Sequence, residues 1–137
     1  MGDEINYSEN SQKVLCGLFG TVGLMIILGV LAWSLDTYQF VKGSTSTEGT
    51  VVALNAGGSH PQIKFTTADG KEIEYAQNGL IGGYQVGDKA TVLYDPQNPR
   101  EASVNAFGAL WGFNLLGLIL GICFVSVACF KYLNMRR

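Results

Sequence analysis

Residues 14–35 read VLCGLFGTVGLMIILGVLAWSL, a run without a single charge, closed by Lys13 on one side and Asp36 on the other. As a helix rising 1.5 Å per residue this run extends about 33 Å, against a hydrocarbon core of about 30 Å. A second charge-free run, FGALWGFNLLGLILGICFVSVACF, occupies residues 107–130 and reaches about 36 Å. Each can cross a bilayer with some tilt. The segment between them is too small to bury two such helices as the core of a soluble protein. The sequence therefore predicts a membrane α+β protein. Its parts are a tail (1–13), a first transmembrane helix (14–35), a middle segment (36–106), a second transmembrane helix (107–130) and a basic tail (131–137).

Composition agrees with that division. The chain has 137 residues, 9 Lys and Arg, 11 Asp and Glu, and 18 glycines, with a mean hydropathy of +0.21. All of its charges fall outside the two runs, so the water-facing remainder is charged like an ordinary soluble domain. The length supports one small domain and excludes a large multi-domain enzyme. The chain is too apolar and too weakly charged for disorder. A net charge of −2 gives no electrostatic basis for binding nucleic acid.

The first run also admits reading as a cleaved signal peptide, with Ala32 and Ser34 as small residues two apart. Against this, the preceding tail is acidic (Asp3, Glu4, Glu9), and the apolar run exceeds the usual 7–15 residues of such segments. The start lacks the hydroxyl residue that N-myristoylation requires at the sixth position. With two retained spans, both tails lie on one side. Lys13, Lys131, Arg136 and Arg137 flank that side, against Lys42 and Arg100 on the other. The positive-inside rule then predicts a multi-pass protein of the cell (inner or plasma) membrane, with both termini cytoplasmic and residues 36–106 extracytoplasmic. Trp33 and Trp111 mark the outer interface and Tyr132 the inner one.

The middle segment shows period-two alternation. Ile63 and Phe65, then Ile73 and Tyr75, alternate with Lys64, Thr66, Glu72 and Glu74, as in a half-buried sheet. Gly49 to Leu54 and Ala90 to Tyr94 are rich in β-branched and apolar residues, and Ser103 to Asn105 is a candidate last strand. Turns are expected at Asp69-Gly70, at Gly87-Asp88, and at Asp95-Pro96 with Pro99. Four to five strands in this length suit a small antiparallel barrel, of the OB or SH3-like kind, or a strongly curved sheet. The stretches 55–61 and 76–85, each with paired glycines, are expected to be mobile rim loops.

Three runs carry a family likeness: Glu48-Gly49-Thr50-Val51-Val52, Phe65-Thr66-Thr67-Ala68-Asp69-Gly70, and Val86-Gly87-Asp88-Lys89-Ala90-Thr91-Val92-Leu93-Tyr94-Asp95-Pro96-Gln97-Asn98-Pro99. Over about residues 45–125 the chain resembles the domain of unknown function 3592 family, mostly small bacterial membrane proteins with a β-rich segment between two helices. Ser59-His60 before Pro61 departs from the aromatic residue usual there. The resemblance implies the architecture and assigns no activity.

Candidate chemistry is sparse. His60 is the only histidine, and a metal site needs two or three more ligands. Asp88 and Asp95 suit turns better than a calcium site, which takes six or more oxygens from a dedicated loop. Cys16, Cys123 and Cys129 fall in or beside the spans and read as small apolar residues. No catalytic frame, cofactor motif or small-molecule substrate site is evident, so no enzyme is predicted. The helices carry more. Gly117 with Gly121 and Gly17 with Thr21 are small-xxx-small pairs, with Gly20 and Gly29 alongside, and small residues let helices approach closely in lipid. Asn114 is the one strongly polar side chain deep in a span. It is expected to hydrogen-bond across a helix contact, near the backbone at Gly29, for about 0.6–2 kcal/mol. The expected function is non-catalytic: a binding or assembly module, or an accessory subunit, with a protein partner or a homo-oligomer as its company in the bilayer. The competing expectation is a homo-oligomeric transport or channel component.

Overall fold

The computed structural model describes residues 2–58 and 60–136, with side chains from Asn10 onward. Ser59, Arg137 and the side chains of Asp3, Glu4 and Glu9 lie outside the described residues. The chain forms two compact units: the helical one ends at Trp33 and resumes at Asn114, and the second covers Ser34–Phe113.

Two long apolar helices flank the β-segment in sequence. Helix α1 spans Gly2–Gly43 and helix α3 spans Gly112–Met135. Both are long and apolar enough to cross a membrane. Helix α1 continues beyond residue 35, where the first transmembrane segment is expected to end. The charge at Asp36 ends the apolar run but not the helix, because no breaker follows until Gly43. Lys42 in the last turn suits the negative helix end. The Ser44 N–H closes the helix on the Phe40 carbonyl at 2.9 Å.

The second run is likewise not one helix. A short helix α2, Phe107–Leu110, ends at Trp111 before α3 begins. The Gly108 carbonyl, which a continuous helix would offer to residue 112, accepts the Leu80 N–H at 2.9 Å instead. Tertiary bonding thus breaks the helix, and α2 belongs to the β-unit.

In the helical unit the two helices meet through glycines. A Cβ on Gly23 would lie 2.8 Å from Val125 Cγ2 and 2.9 Å from the Gly121 carbonyl. One on Gly121 would lie 2.7 Å from Ile27 Cγ1, and one on Gly117 2.6 Å from Val30 Cγ2. Gly20 faces Ala128 at 3.6 Å, and Phe19 stacks on Phe124 with centroids 5.4 Å apart. Gly17 and Gly29 have nothing within 4 Å of such a Cβ, and Thr21 is exposed. Asn114 is buried.

The second unit is a five-stranded antiparallel sheet, curled into a half-barrel, of β1 (Thr45–Asn55), β2 (His60–Thr66), β3 (Glu72–Ala76), β4 (Lys89–Tyr94) and β5 (Ala102–Val104). Their order is β3-β2-β1-β4-β5. The inner face carries Val51, Ile63, Phe65, Ala90, Val92, Tyr94 and Val104 as a buried core. Phe65 sits 5.2 Å from Tyr94 and edge-on to Tyr75 at 6.0 Å. Gly49 lies where β1 crosses this core, and a Cβ there would come within 2.7 Å of Val92 and 2.8 Å of Ile63. Val52 is a bulge, the register to β2 shifting between Val51 and Ala53.

The described residues of both expected rim loops bond or pack locally. Ladder pairing in the first runs to Asn55 opposite His60, closed by a 3-10 turn, Ala56–Gly58, with positive φ at all three residues. In the second, Gln77 and Gly79 are buried. Gly79 takes φ +101, and a Cβ there would sit 2.9 Å from the Ala109 backbone. Ile81 and Tyr84 pack on the core.

Candidate docking face

Strand alternation sorts the β-unit into an apolar inside and a polar outside. Glu48 and Thr50 of β1, Gln62 and Lys64 of β2, Glu72 and Glu74 of β3 and Lys89 of β4 share the outer face, where Lys89, Thr50, Lys64 and Glu74 form one row in register across the sheet. They pair laterally. Lys64 meets Glu72 at 2.9 Å, and Lys89 bridges Glu48 and the Thr50 hydroxyl, each at 3.0 Å. Asn55 donates to Gln62 at 2.8 Å, and Gln62 donates to Glu74 at 3.2 Å. Both ion pairs are well exposed. Such pairs are worth about 0–1 kcal/mol and re-pair readily when a charged partner arrives. A shallow hollow of about 320 Å³ lies over Glu48, Thr50, Lys64, Glu72 and Lys89.

The two sheet edges differ. Thr67 N–H bonds the Lys71 carbonyl and Gln77 N–H bonds the Pro61 carbonyl, both at 2.9 Å. Antiparallel pairing alternates, so residues 71, 73, 75 and 77 bond inward to β2, while the N–H and C=O of Glu72, Glu74 and Ala76 point outward. At the β5 edge the outward Val104 N–H is taken by Gln77 Oε1 at 2.7 Å. The same Oε1 accepts the Tyr75 hydroxyl at 3.0 Å, and Gln77 Nε2 reaches the Ser103 hydroxyl at 3.3 Å. Gln77 therefore links the end of β3 to β5 where a closed barrel would have ladder bonds. Burial pushes the Tyr75 phenol well above its ordinary value of 10, with the neighbouring Tyr84 as the second cause.

Asp69, Asp88 and Asp95 each accept a local hydrogen bond. Gly70, at φ +82, donates to the Thr67 carbonyl at 3.0 Å. Asp69 accepts from the Thr67 hydroxyl and pairs with Lys71 at 2.8 Å, which holds its carboxyl below the usual value and raises the Lys71 ammonium. Asp88 accepts the Gln85 N–H at 2.8 Å, beside Gly87 at φ +98. Asp95 accepts the Gln97 N–H at 2.8 Å just past Pro96, and Glu101 N–H bonds the Asn98 carbonyl across Pro99 at 2.8 Å. Asp95 and Glu101 also line a hollow with Asp36. Among the described residues no group of three His, Cys, Asp or Glu is arranged to hold a metal ion. His60 opens β2, half-buried. Cys16 is buried and Cys123 and Cys129 are exposed on the helices. Trp33 is exposed, Trp111 half-buried at the helix break, and Tyr132 lies under the Arg136 guanidinium at 5.2 Å.

Sequence reasoning missed Gln77 and Gly79, and its packing residues left out Gly23. The signal for the first two was the apolar content of their loop (Leu80, Ile81, Tyr84), which a mobile rim does not need.

Comparison with known proteins adds two findings. A family model described as Domain of unknown function (DUF3592) matches residues 37–109. Over 96 residues the chain is 47% identical to a Pseudomonas aeruginosa protein named Immune protein Tsi4, the match covering 69% of this chain and 66% of that relative. The chain thus spans just under two thirds of the relative's length. No solved structure matches it.

Proposed function

The chain belongs to the DUF3592 family, which carries no assigned activity, and from that premise we propose that it is a non-catalytic, membrane-anchored binding module. The observation that carries this reading is kinship with a protein named as an immune protein. On this reading the chain protects by occupying another protein rather than by transforming a substrate. In this reading α1 and α3 cross the cell membrane, both tails are cytoplasmic by the positive-inside rule, and the half-barrel is presented outside. The Gly23–Gly121 contact holds the two helices together. The half-barrel offers the partner its paired polar face and open edge. Asn114 adds a polar contact within the helical unit.

Purification of the full chain from native membranes in mild detergent is expected to retain one partner at fixed stoichiometry. Recovery of the bare monomer under every mild condition would overturn the proposal. Ion flux through the purified chain in liposomes would favour a transport component instead.

A further inference from the structure

We infer that the β3 edge, Glu72–Ala76, docks an extended segment of a partner protein in which basic residues alternate with apolar ones. The inference deepens the binding reading above by naming the surface and the chemistry of what it takes.

Three observations converge on this edge. First, its outward N–H and C=O groups at Glu72, Glu74 and Ala76 are left over by the ladder to β2, and such a row templates an added strand. The opposite edge is three residues long, and its outward Val104 N–H is already taken by Gln77. Second, the protection β3 carries is selective, because its edge charges are both acidic and turn away like-charged strands only. The strand reads Glu-Ile-Glu-Tyr-Ala with no proline or lysine, and the sheet's bulge lies in β1. Third, its side chains specify the occupant. Glu72 and Glu74 are exposed on the outer face, while Ile73 and Tyr75 are half-buried on the inner face.

An incoming strand sets alternate residues beside these two rows. Cations suit the positions next to the glutamates, and apolar side chains extend the layer of Ile73 and Tyr75. A second copy of this chain does not fit, because two β3 edges paired with each other bring glutamates together, and like charges directly opposite are destabilising. The glutamates therefore discourage self-pairing and favour a basic strand.

The test uses the full chain in uncharged detergent micelles and a short capped peptide alternating lysine and valine, with a glutamate–valine peptide as control. The basic peptide is expected to bind about tenfold or more tightly than the acidic one and to slow amide exchange at Glu72, Glu74 and Ala76. Ile73 and Tyr75, already bonded to β2, should be unaffected. Glu74→Pro removes an outward N–H that the sheet does not use and is expected to abolish binding. The double variant Glu72→Lys, Glu74→Lys is expected to reverse the peptide preference.

Unchanged exchange at Glu74 with peptide bound, wild-type binding by Glu74→Pro, or concentration-dependent pairing through β3 would each overturn the inference. Should Glu74→Pro lose protection at Val51 and Val92, and so be unfolded, the charge reversal decides: no change of preference refutes the edge. A native partner retained by a folded Glu74→Pro chain refutes the edge and leaves the binding function standing. Absence of any partner for the wild type refutes that function, while the peptide data still decide the edge.

Discussion

Gln77 does with one side chain what a row of ladder bonds does in a closed barrel. Its carboxamide oxygen accepts from both the Val104 N–H and the Tyr75 hydroxyl, and its nitrogen reaches Ser103. Removing one partner from a buried bond leaves the other unsatisfied, at about 1–3 kcal/mol. Gln77→Ala is therefore expected to destabilise the β-unit by that order, read as a lower urea midpoint, and to speed amide exchange at Val104, with Val51 changing less. Tyr75 supplies a pH test. Its phenol is raised in the folded chain, so the folded state holds its proton at pH values where the unfolded chain has lost it. The stabilisation is complete below pH 10, the ordinary value, and is lost as pH rises from there towards the folded value. Alkaline unfolding followed by tyrosine absorbance should show this loss, and Tyr75→Phe should flatten it.

The strands were legible in the sequence because one face is buried and the other wet, so side chains alternate: Ile63 and Phe65 inside, Lys64 outside. The helix limits were not legible from charge. Asp36 ends an apolar run, but a charge does not end a helix, and α1 runs on to Gly43. The break at Trp111 depends on a bond from Leu80, distant in sequence. The β3 edge became definable only once the strand order was known. The glycines behave in the same way. Spacing named Gly17, Gly20, Gly29, Gly117 and Gly121 together, but only packing shows that Gly23 and Gly121 sit at the closest approach while Gly29 faces open space. Gly121→Val is accordingly expected to destabilise the helix pair by about 1–3 kcal/mol, read as a lower melting temperature in detergent. Gly29→Val, the matched control, should change it little.

At the scale of the whole molecule, the proposed topology follows from a small asymmetry of charge. Cations close the tail-side ends of both apolar runs, while the segment between the helices carries five Lys and Arg against eight Asp and Glu. Lysine and arginine near helix ends are held back on the cytoplasmic side, and acidic residues count little. The described structure supplies convenient reporters. Ala68 is exposed in the β2–β3 turn, and Asn134 is exposed near the end of α3. With Cys16, Cys123 and Cys129 replaced by serine or alanine, Ala68→Cys should react with a membrane-impermeant maleimide in intact cells once any outer barrier is opened. Asn134→Cys should react only after the cell membrane itself is permeabilised. The opposite pattern would invert the topology and place the half-barrel, with its β3 edge, among cytoplasmic partners. Labelling of both sites in intact cells would show that the two helices do not return the chain to the side from which it started. Either result would relocate the search for the partner, because the compartment that holds residues 45–106 is the compartment in which that partner must be found.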